Sequence, residues 1–317
     1  MNRDVLSVPV VVELDSVPDV LAALESVADL PDVVLLESRI DREEVSRFSF
    51  LVADPVAFVD DAESVTGSDP FGRLRDLLDP FRNDRVAGLP PFQGGVVGLL
   101  GYELGAAWET VPRPPHDEFA LPVLAAGVYD RVLAWDHVLG RAWIISQGFP
   151  ETDLRGRRQR AEQRAAELLS RLEASGQSVG AAEEPPPSSL EPEKLAPLWP
   201  VDGHDGLFSD FSREAYLEAV DRVIEYIHAG DIFQANLSQR LLARQPAPAR
   251  ELYARLRQRN PAPFAGYMAH ADWEIVSASP ERFVSLRDGL VETRPIKGTR
   301  RRPGDPEARV LVQGLSL

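Results

Sequence analysis

The chain has 317 residues, 44% of them hydrophobic, which is room for one large or two ordinary domains that each bury a core. A formal net charge of −16 argues against nucleic acid and anionic membrane surfaces as partners, since both need a basic footprint. The absence of cysteine excludes disulfides and cysteine-ligated zinc and makes the cytoplasm the default location. No uncharged apolar run reaches the roughly 18 residues of a membrane span, and the first apolar run meets Glu13 and Asp15 with no small-residue cleavage site, so no signal peptide is expected.

The first 150 residues read as a mixed α/β unit. Val10 to Val12 and Val33 to Leu36 are strand-like runs, and Val17, Val20, Leu21 and Leu24 between them have helical spacing. A strand follows over Phe48 to Val52, broken by Asp54-Pro55, and a short helix over Arg73 to Leu78, stopped by Pro80. The stretch Phe92 to Glu103 is dense in glycine. No Gly-Lys-Ser/Thr follows it and its spacing fits no dinucleotide fingerprint, so it reads as a strand and turn where backbones approach closely. Val128 to Trp135 and Ala142 to Ser146 make a hairpin around Asp136-His137 and Gly140.

Residues 153 to 173 form a charged helix with a thin seam of Leu168, Leu169 and Leu172. From Ala174 to about Ser209 the composition turns to Gly, Pro, Ser and Glu, as a linker does. The expected boundaries are therefore 1–150 for a first domain, 151–209 for helix and linker, and 210–317 for the start of a second domain. That second part opens with Ser212 as N-cap and a helix whose face is Tyr216, Val220, Val223, Ile224 and Ile227, ended by Gly230. After Asp231 the period becomes two: Phe233, Ala235, Leu237, Gln239 and Leu241 share one face, Gln234, Asn236, Ser238 and Arg240 the other. The polar face suits either solvent or the wall of a polar site. Glu251 to Arg257 is helical, and Phe264 to Ala269, Glu274 to Ala278 and Phe283 to Leu286 are strands. Asp288-Gly289 is a hairpin signal that leads the chain through Leu290 to Arg294.

The chemistry is expected at Thr293-Arg294-Pro295-Ile296-Lys297-Gly298-Thr299. Of the 34 cationic residues 32 are Arg and only 2 are Lys, so fixed positive charge is supplied by Arg. Unlike Arg, a lysine can lose its proton when desolvated among cations such as Arg294, Arg300, Arg301 and Arg302, which would make Lys297 a nucleophile. A solvated lysine at a strand end is the plainer reading of the same residues.

Taken in order, these stretches resemble the chorismate-utilising enzymes, the group of anthranilate synthase component I and aminodeoxychorismate synthase component I. The resemblance is carried by Leu35-Leu36-Glu37-Ser38, Ser46 to Phe50, Phe92 to Glu103, Asp136-His137, Gly230 to Arg240, Asn260-Pro261-Ala262-Pro263-Phe264, Ser279 to Phe283 and the Lys297 segment. It implies an α+β, two-domain fold with large, mainly antiparallel sheets and flanking helices. Lys297, and Asn236 in its Gln-x-Asn-Leu setting, resemble the aminodeoxychorismate branch, whereas Leu35 to Ser38 is closer to anthranilate synthases.

The resemblance further implies that Lys297 attacks C2 of chorismate as the 4-hydroxyl leaves, and that ammonia from a glutamine amidotransferase subunit then enters at C4 and expels the lysine. Gly298 and Thr299 would lie beside the substrate, and Mg2+ would hold its ring carboxylate. Leu36, Ser38, Arg47 and Phe48 with Pro263 and Phe264 would form a buried amino-acid pocket for a ligand such as tryptophan, core packing being the alternative. The family pattern is expected to run on beyond Lys297 into a part that carries the Mg2+ ligands and the cations for chorismate. None of these is found after Thr299, so the C-terminal part of the fold is expected to be missing and this chain by itself inactive. Anthranilate synthase component I and a non-catalytic remnant that binds tryptophan or the amidotransferase stay open as alternatives.

Overall fold

The computed structural model describes residues 9–38, 47–62, 66–81, 85–112, 116–117, 119–175 and 195–295. The expected catalytic segment, Lys297, Gly298 and Thr299, lies outside them.

In chain order the elements are β1 (Val10–Glu13), α1 (Val20–Ser26), β2 (Val34–Glu37), β3 (Phe48–Val52), β4 (Ala57–Asp61), α2 (Gly72–Leu78), β5 (Gly95–Leu100), β6 (Leu124–Tyr129), β7 (Arg131–Asp136), β8 (Arg141–Ser146), α3 (Leu154–Ser175), β9 (Trp199–Pro200), β10 (Leu207–Ser209), α4 (Arg213–Ala229), β11 (Leu241–Ala243), α5 (Ala249–Arg259), β12 (Phe264–His270), β13 (Trp273–Ser279), β14 (Ser285–Arg287) and β15 (Leu290–Glu292). Local chemistry sets several of these limits. The Asp19 carboxylate accepts the amides of Leu21 and Ala22 at 2.9 and 3.0 Å and so starts α1. Ser212 Oγ accepts the Ala215 amide at 3.1 Å at the start of α4, and Gly230, at φ 82°, ends it in the left-handed conformation expected of it. Asp288 and Gly289 both have positive φ and close the β14–β15 hairpin.

Contacts divide the chain into two compact units. The first holds 1–109, 122–181 and 249–317, the second 110–121 and 182–248. In the first, an antiparallel seven-stranded sheet runs in the order β1-β8-β7-β3-β2-β12-β13. Alternate residues send side chains to opposite faces. Leu35, Leu51, Leu133, Trp135 and Ile144 meet α1, α3 and α5 on one face, where Leu24, Ala161, Leu168 and Tyr253 are buried. On the other face Val34, Val52, Val132, Trp143 and Ile145 pack with Ala125 and Tyr129 of a three-stranded sheet ordered β4-β6-β5. The far side of that second sheet is covered by Leu74 of α2 and by Leu104.

The division expected near residues 150 and 209 does not follow these contacts. Helix α3 packs on the sheet formed before it, and β12 and β13 join that same sheet, because β2 offers an edge with which Ala265 to Met268 pair. The glycine-rich stretch does bring backbones together: a Cβ on Gly98 would collide with the Ala125 carbonyl oxygen. The single strand expected over Val128 to Trp135 is divided at Asp130, and its halves belong to different sheets. Asp130 is fully buried and held by Arg164 of α3, whose Nη2 donates at 3.1 Å. Arg164 also donates to the Asp54 carbonyl at 2.8 Å and pairs with the Asp54 carboxylate, while Arg131 Nη1 donates to the Arg164 carbonyl at 2.8 Å. Burial lowers the Arg131 guanidinium to about 10, with Arg164 beside it acting in the same direction.

The second unit carries α4 and a three-stranded sheet ordered β11-β10-β9. Helix α4 has the amphipathic pattern expected of it but buries none of its residues. The period-two run from Phe233 is a strand only from Leu241; Phe233 to Arg240 is irregular, with residues of both faces exposed. Alternation gives a strand only where a neighbour takes up the backbone N–H and C=O groups, and the pairing in β11 is confined to Leu241 to Ala243 with β10.

Candidate functional site

Four segments of the first unit meet around the end of β2. The pairing of β2 with β3 on one side and with β12 on the other sets Leu36 opposite Phe50 and opposite Gly266. Directly opposed residues share a face, so Leu36 lies beside Phe50 and above a position with no side chain. The side chain of Leu36 is 46% exposed, and the apolar strip at this point is open rather than enclosed among the described residues.

Polar groups fix the rim. Ser38 Oγ donates to the Pro263 carbonyl at 2.9 Å, and the Ser38 amide donates to Ser49 Oγ at 3.1 Å. Ser49 is fully buried, and its hydroxyl lies 2.7 Å from His137 Nε2. The His137 amide in turn donates to the Arg47 carbonyl at 2.9 Å. Arg47 donates through Nε and Nη2 to Asp136 Oδ2 at 3.0 and 2.7 Å, and its guanidinium sits 4.9 Å from the centre of the Phe48 ring. Burial pushes the Asp136 carboxyl up, but the Arg47 hydrogen bonds and the amides of Leu139 and Val138 outweigh it and hold the group below its usual range. Phe264 lies under the Arg282 guanidinium at 5.1 Å.

The structure thus places Leu36, Ser38, Arg47, Phe48, Pro263 and Phe264 around the adjoining ends of β2, β3 and β12, with a direct hydrogen bond between Ser38 and Pro263. It also shows members that the sequence reading had not counted in the site: Ser49, Asp136 and His137 on the rim, and Glu37 behind it. Glu37 is 3% exposed although it occupies a strand end in an acidic chain. The only sequence signal for it was its place between Leu36 and Ser38. A separate cleft of about 370 Å3 in the same unit, lined by Arg75, Phe81, Arg85, Gln93, Gln147 and Phe149, contains none of the expected site residues.

Among the described residues no group of three or more His, Asp or Glu could hold a metal ion. No helix among the described residues is long and apolar enough to cross a membrane.

Residues 31–315 match the chorismate binding enzyme family, and the chain belongs to that family. Aminodeoxychorismate synthase component 1 of Escherichia coli is 31% identical over 294 residues, covering 88% of this chain and 57% of that protein. Anthranilate synthase component 1 of Thermus thermophilus is 35% identical over 298 residues, covering 91% of this chain and 58% of that protein. The chain thus spans less than two thirds of the length of either relative. The crystal structure of anthranilate synthase component I from Streptococcus pneumoniae superposes with a TM-score of 0.58 at 25% identity, covering 78% of this chain and 53% of that one.

Proposed function

We propose that the protein containing this chain is an aminodeoxychorismate synthase component I, which converts chorismate and ammonia to 4-amino-4-deoxychorismate. The observation that carries this reading is Lys297, one of only 2 lysines, placed between Ile296 and Gly298. Its uncharged amine adds to C2 of chorismate while the 4-hydroxyl departs, taking a proton to leave as water. Ammonia then forms the C4–N bond and the lysine leaves C2, recovering its amine. Covalent attachment divides one difficult displacement into two easier ones, and a guanidinium could not serve because it keeps its proton. Ammonia from a glutamine amidotransferase subunit, a Mg2+ ion bound outside the described residues and a cytoplasmic location belong to the same proposal.

The apolar strip of Leu36, Phe48 and Phe264, with Ser38 and Arg47 on its rim, is read as one wall of an amino-acid pocket for tryptophan. The mixture of an apolar floor with a few fixed polar groups is what such a ligand needs.

Anthranilate synthase component I is the second reading, supported by the Leu35-Leu36-Glu37-Ser38 stretch, which resembles anthranilate synthases more closely. One assay separates the two: the purified protein that contains this chain together with the C-terminal part of the family pattern, with chorismate, ammonium salt and Mg2+, its products resolved by chromatography. The expected product is 4-amino-4-deoxychorismate, lost in Lys297→Ala and nearly lost in Lys297→Arg. Anthranilate as the product would establish the second reading, and near-normal turnover by either variant would remove Lys297 from the chemistry.

A further inference from the structure

Behind the rim of the strip lies a polar cluster that takes no part in the proposed chemistry. Glu37, Tyr253 and Arg257 are 3%, 0% and 7% exposed. Tyr253 donates its hydroxyl proton to Glu37 Oε2 at 2.7 Å, Arg257 Nε donates to the same oxygen at 2.9 Å, and Arg257 Nη2 bonds Glu37 Oε1. Both carboxylate oxygens are therefore engaged, one of them twice. Burial disfavours the Arg257 charge, but the hydrogen bonds and charge of Glu37 outweigh it and raise the group.

We propose that Tyr253 and Arg257 are positioning residues for the amino-acid pocket, acting through Glu37 to set the first turn after α5 against the end of β2. The covalent connections make the case. Glu37 is followed directly by Ser38, and Arg257 stands in the last turn of α5, from which the chain runs through Asn260, Pro261 and the buried Ala262 to Pro263. The Ser38–Pro263 hydrogen bond joins the same two segments on the rim. Helix α5 packs on β12 and β13, and the two-point Arg257–Glu37 pair ties it across to β2, so a shift of α5 relative to β2 breaks that pair.

Stability alone is a poor reason for such a cluster. A buried ion pair gains little over well-packed apolar side chains of similar size, whereas a guanidinium–carboxylate fork fixes angle and register as apolar contacts do not. A phenol added to the fork sets the third direction.

The inference rests on the reading of the strip as an amino-acid pocket, and its test separates the two. Titration calorimetry with L-tryptophan and amide hydrogen exchange are run on the full protein, on Tyr253→Phe and on the triple variant Glu37→Met, Tyr253→Phe, Arg257→Met. The triple variant removes every polar group of the cluster while keeping an apolar filling, and is expected to melt within a few degrees of the parent. Tryptophan affinity is expected to fall about tenfold in Tyr253→Phe, as for loss of a hydrogen bond to a charged group, and further in the triple variant. Exchange at the Ser38 amide should quicken in both while the β5–β6 amides keep their rates. Parent-like tryptophan affinity in the triple variant would overturn the proposal, as would exchange that rises uniformly or stays unchanged at Ser38. If the parent itself binds no tryptophan, the pocket reading fails, and selective quickening at Ser38 still decides whether the cluster positions this junction.

Discussion

Helices α3 and α4 show how little an amphipathic pattern says about burial. In sequence α4 has the better face, five large apolar residues at helical spacing, whereas α3 is charged along its length with a thin leucine seam. In the structure the ranking is reversed. Helix α3 buries Ala161, Ala165 and Leu168 and draws the side chains of Arg157 and Arg164 inside with them. Helix α4 buries nothing, and Ile224 stays 41% exposed. The difference lies in what each helix faces. A seven-stranded sheet lies beneath α3, with small residues on the helix allowing close approach, and the buried Asp130 carboxylate and the carbonyls of Asp54 and Gln147 accept from its guanidinium groups. The second unit offers α4 no comparable surface among its described residues.

That contrast can be broken most severely at Arg164. Substitution by Met leaves Asp130 buried without its counter-charge and Asp54 without its partner, at an expected cost of about 3–5 kcal/mol in denaturant unfolding. A loss below about 1 kcal/mol would mean that α3 is held by its apolar seam alone. A smaller effect is expected at Asp136, which ties the first unit together at its rim. Its folded carboxyl lies below its unfolded value of about 3.9, so its contribution is present at neutral pH and is lost as pH falls through the folded value. Asp136→Asn should cost about 1–2 kcal/mol at pH 7, an amount moderated by solvent because the Arg47 side chain is 44% exposed. The gap between variant and parent should narrow in melts as pH falls below the unfolded value of about 3.9, and a gap that did not change with pH would show that charge is not what Asp136 supplies. The smallest effect is expected on α4, where Ile224→Ala should shift stability by no more than about 0.5 kcal/mol. A shift above about 1.5 kcal/mol would reveal a buried partner for this helix.

Features written in a few neighbouring residues were legible in the sequence. The Ser212 cap, the Gly230 stop and the Asp288-Gly289 turn all depend on backbone chemistry within one turn of chain, and each stands where expected. The run Val128 to Trp135 reads as continuous strand because every residue in it favours extended backbone, and nothing local records that Asp130 is the point of passage between two sheets. The stretch after Phe233 alternates as a strand does, yet alternation cannot supply the neighbour that a strand needs. For the candidate site, the gathering of Ser38, Arg47 and Pro263 followed from the family resemblance of the motifs and their order rather than from periodicity. The burial of Glu37 could not be read at all, since its partners Tyr253 and Arg257 lie more than two hundred residues away along the chain.

The strand order of the seven-stranded sheet also dictates a calendar for folding. On a ribosome the chain emerges from its N-terminus, so β1, β8, β7, β3 and β2 can pair as soon as Ser146 is free. The edge of β2 that receives β12 must then wait while the whole of 182–248 is synthesised and Phe264 to His270 appears. An unpaired strand edge is a template for pairing with the wrong chain, and pairings distant in sequence are the slow ones. Glu37 is thus required to spend that interval without Arg257, a lone carboxylate on an open edge. The charge that later orders the junction meanwhile discourages a second nascent chain from adding its own strand there.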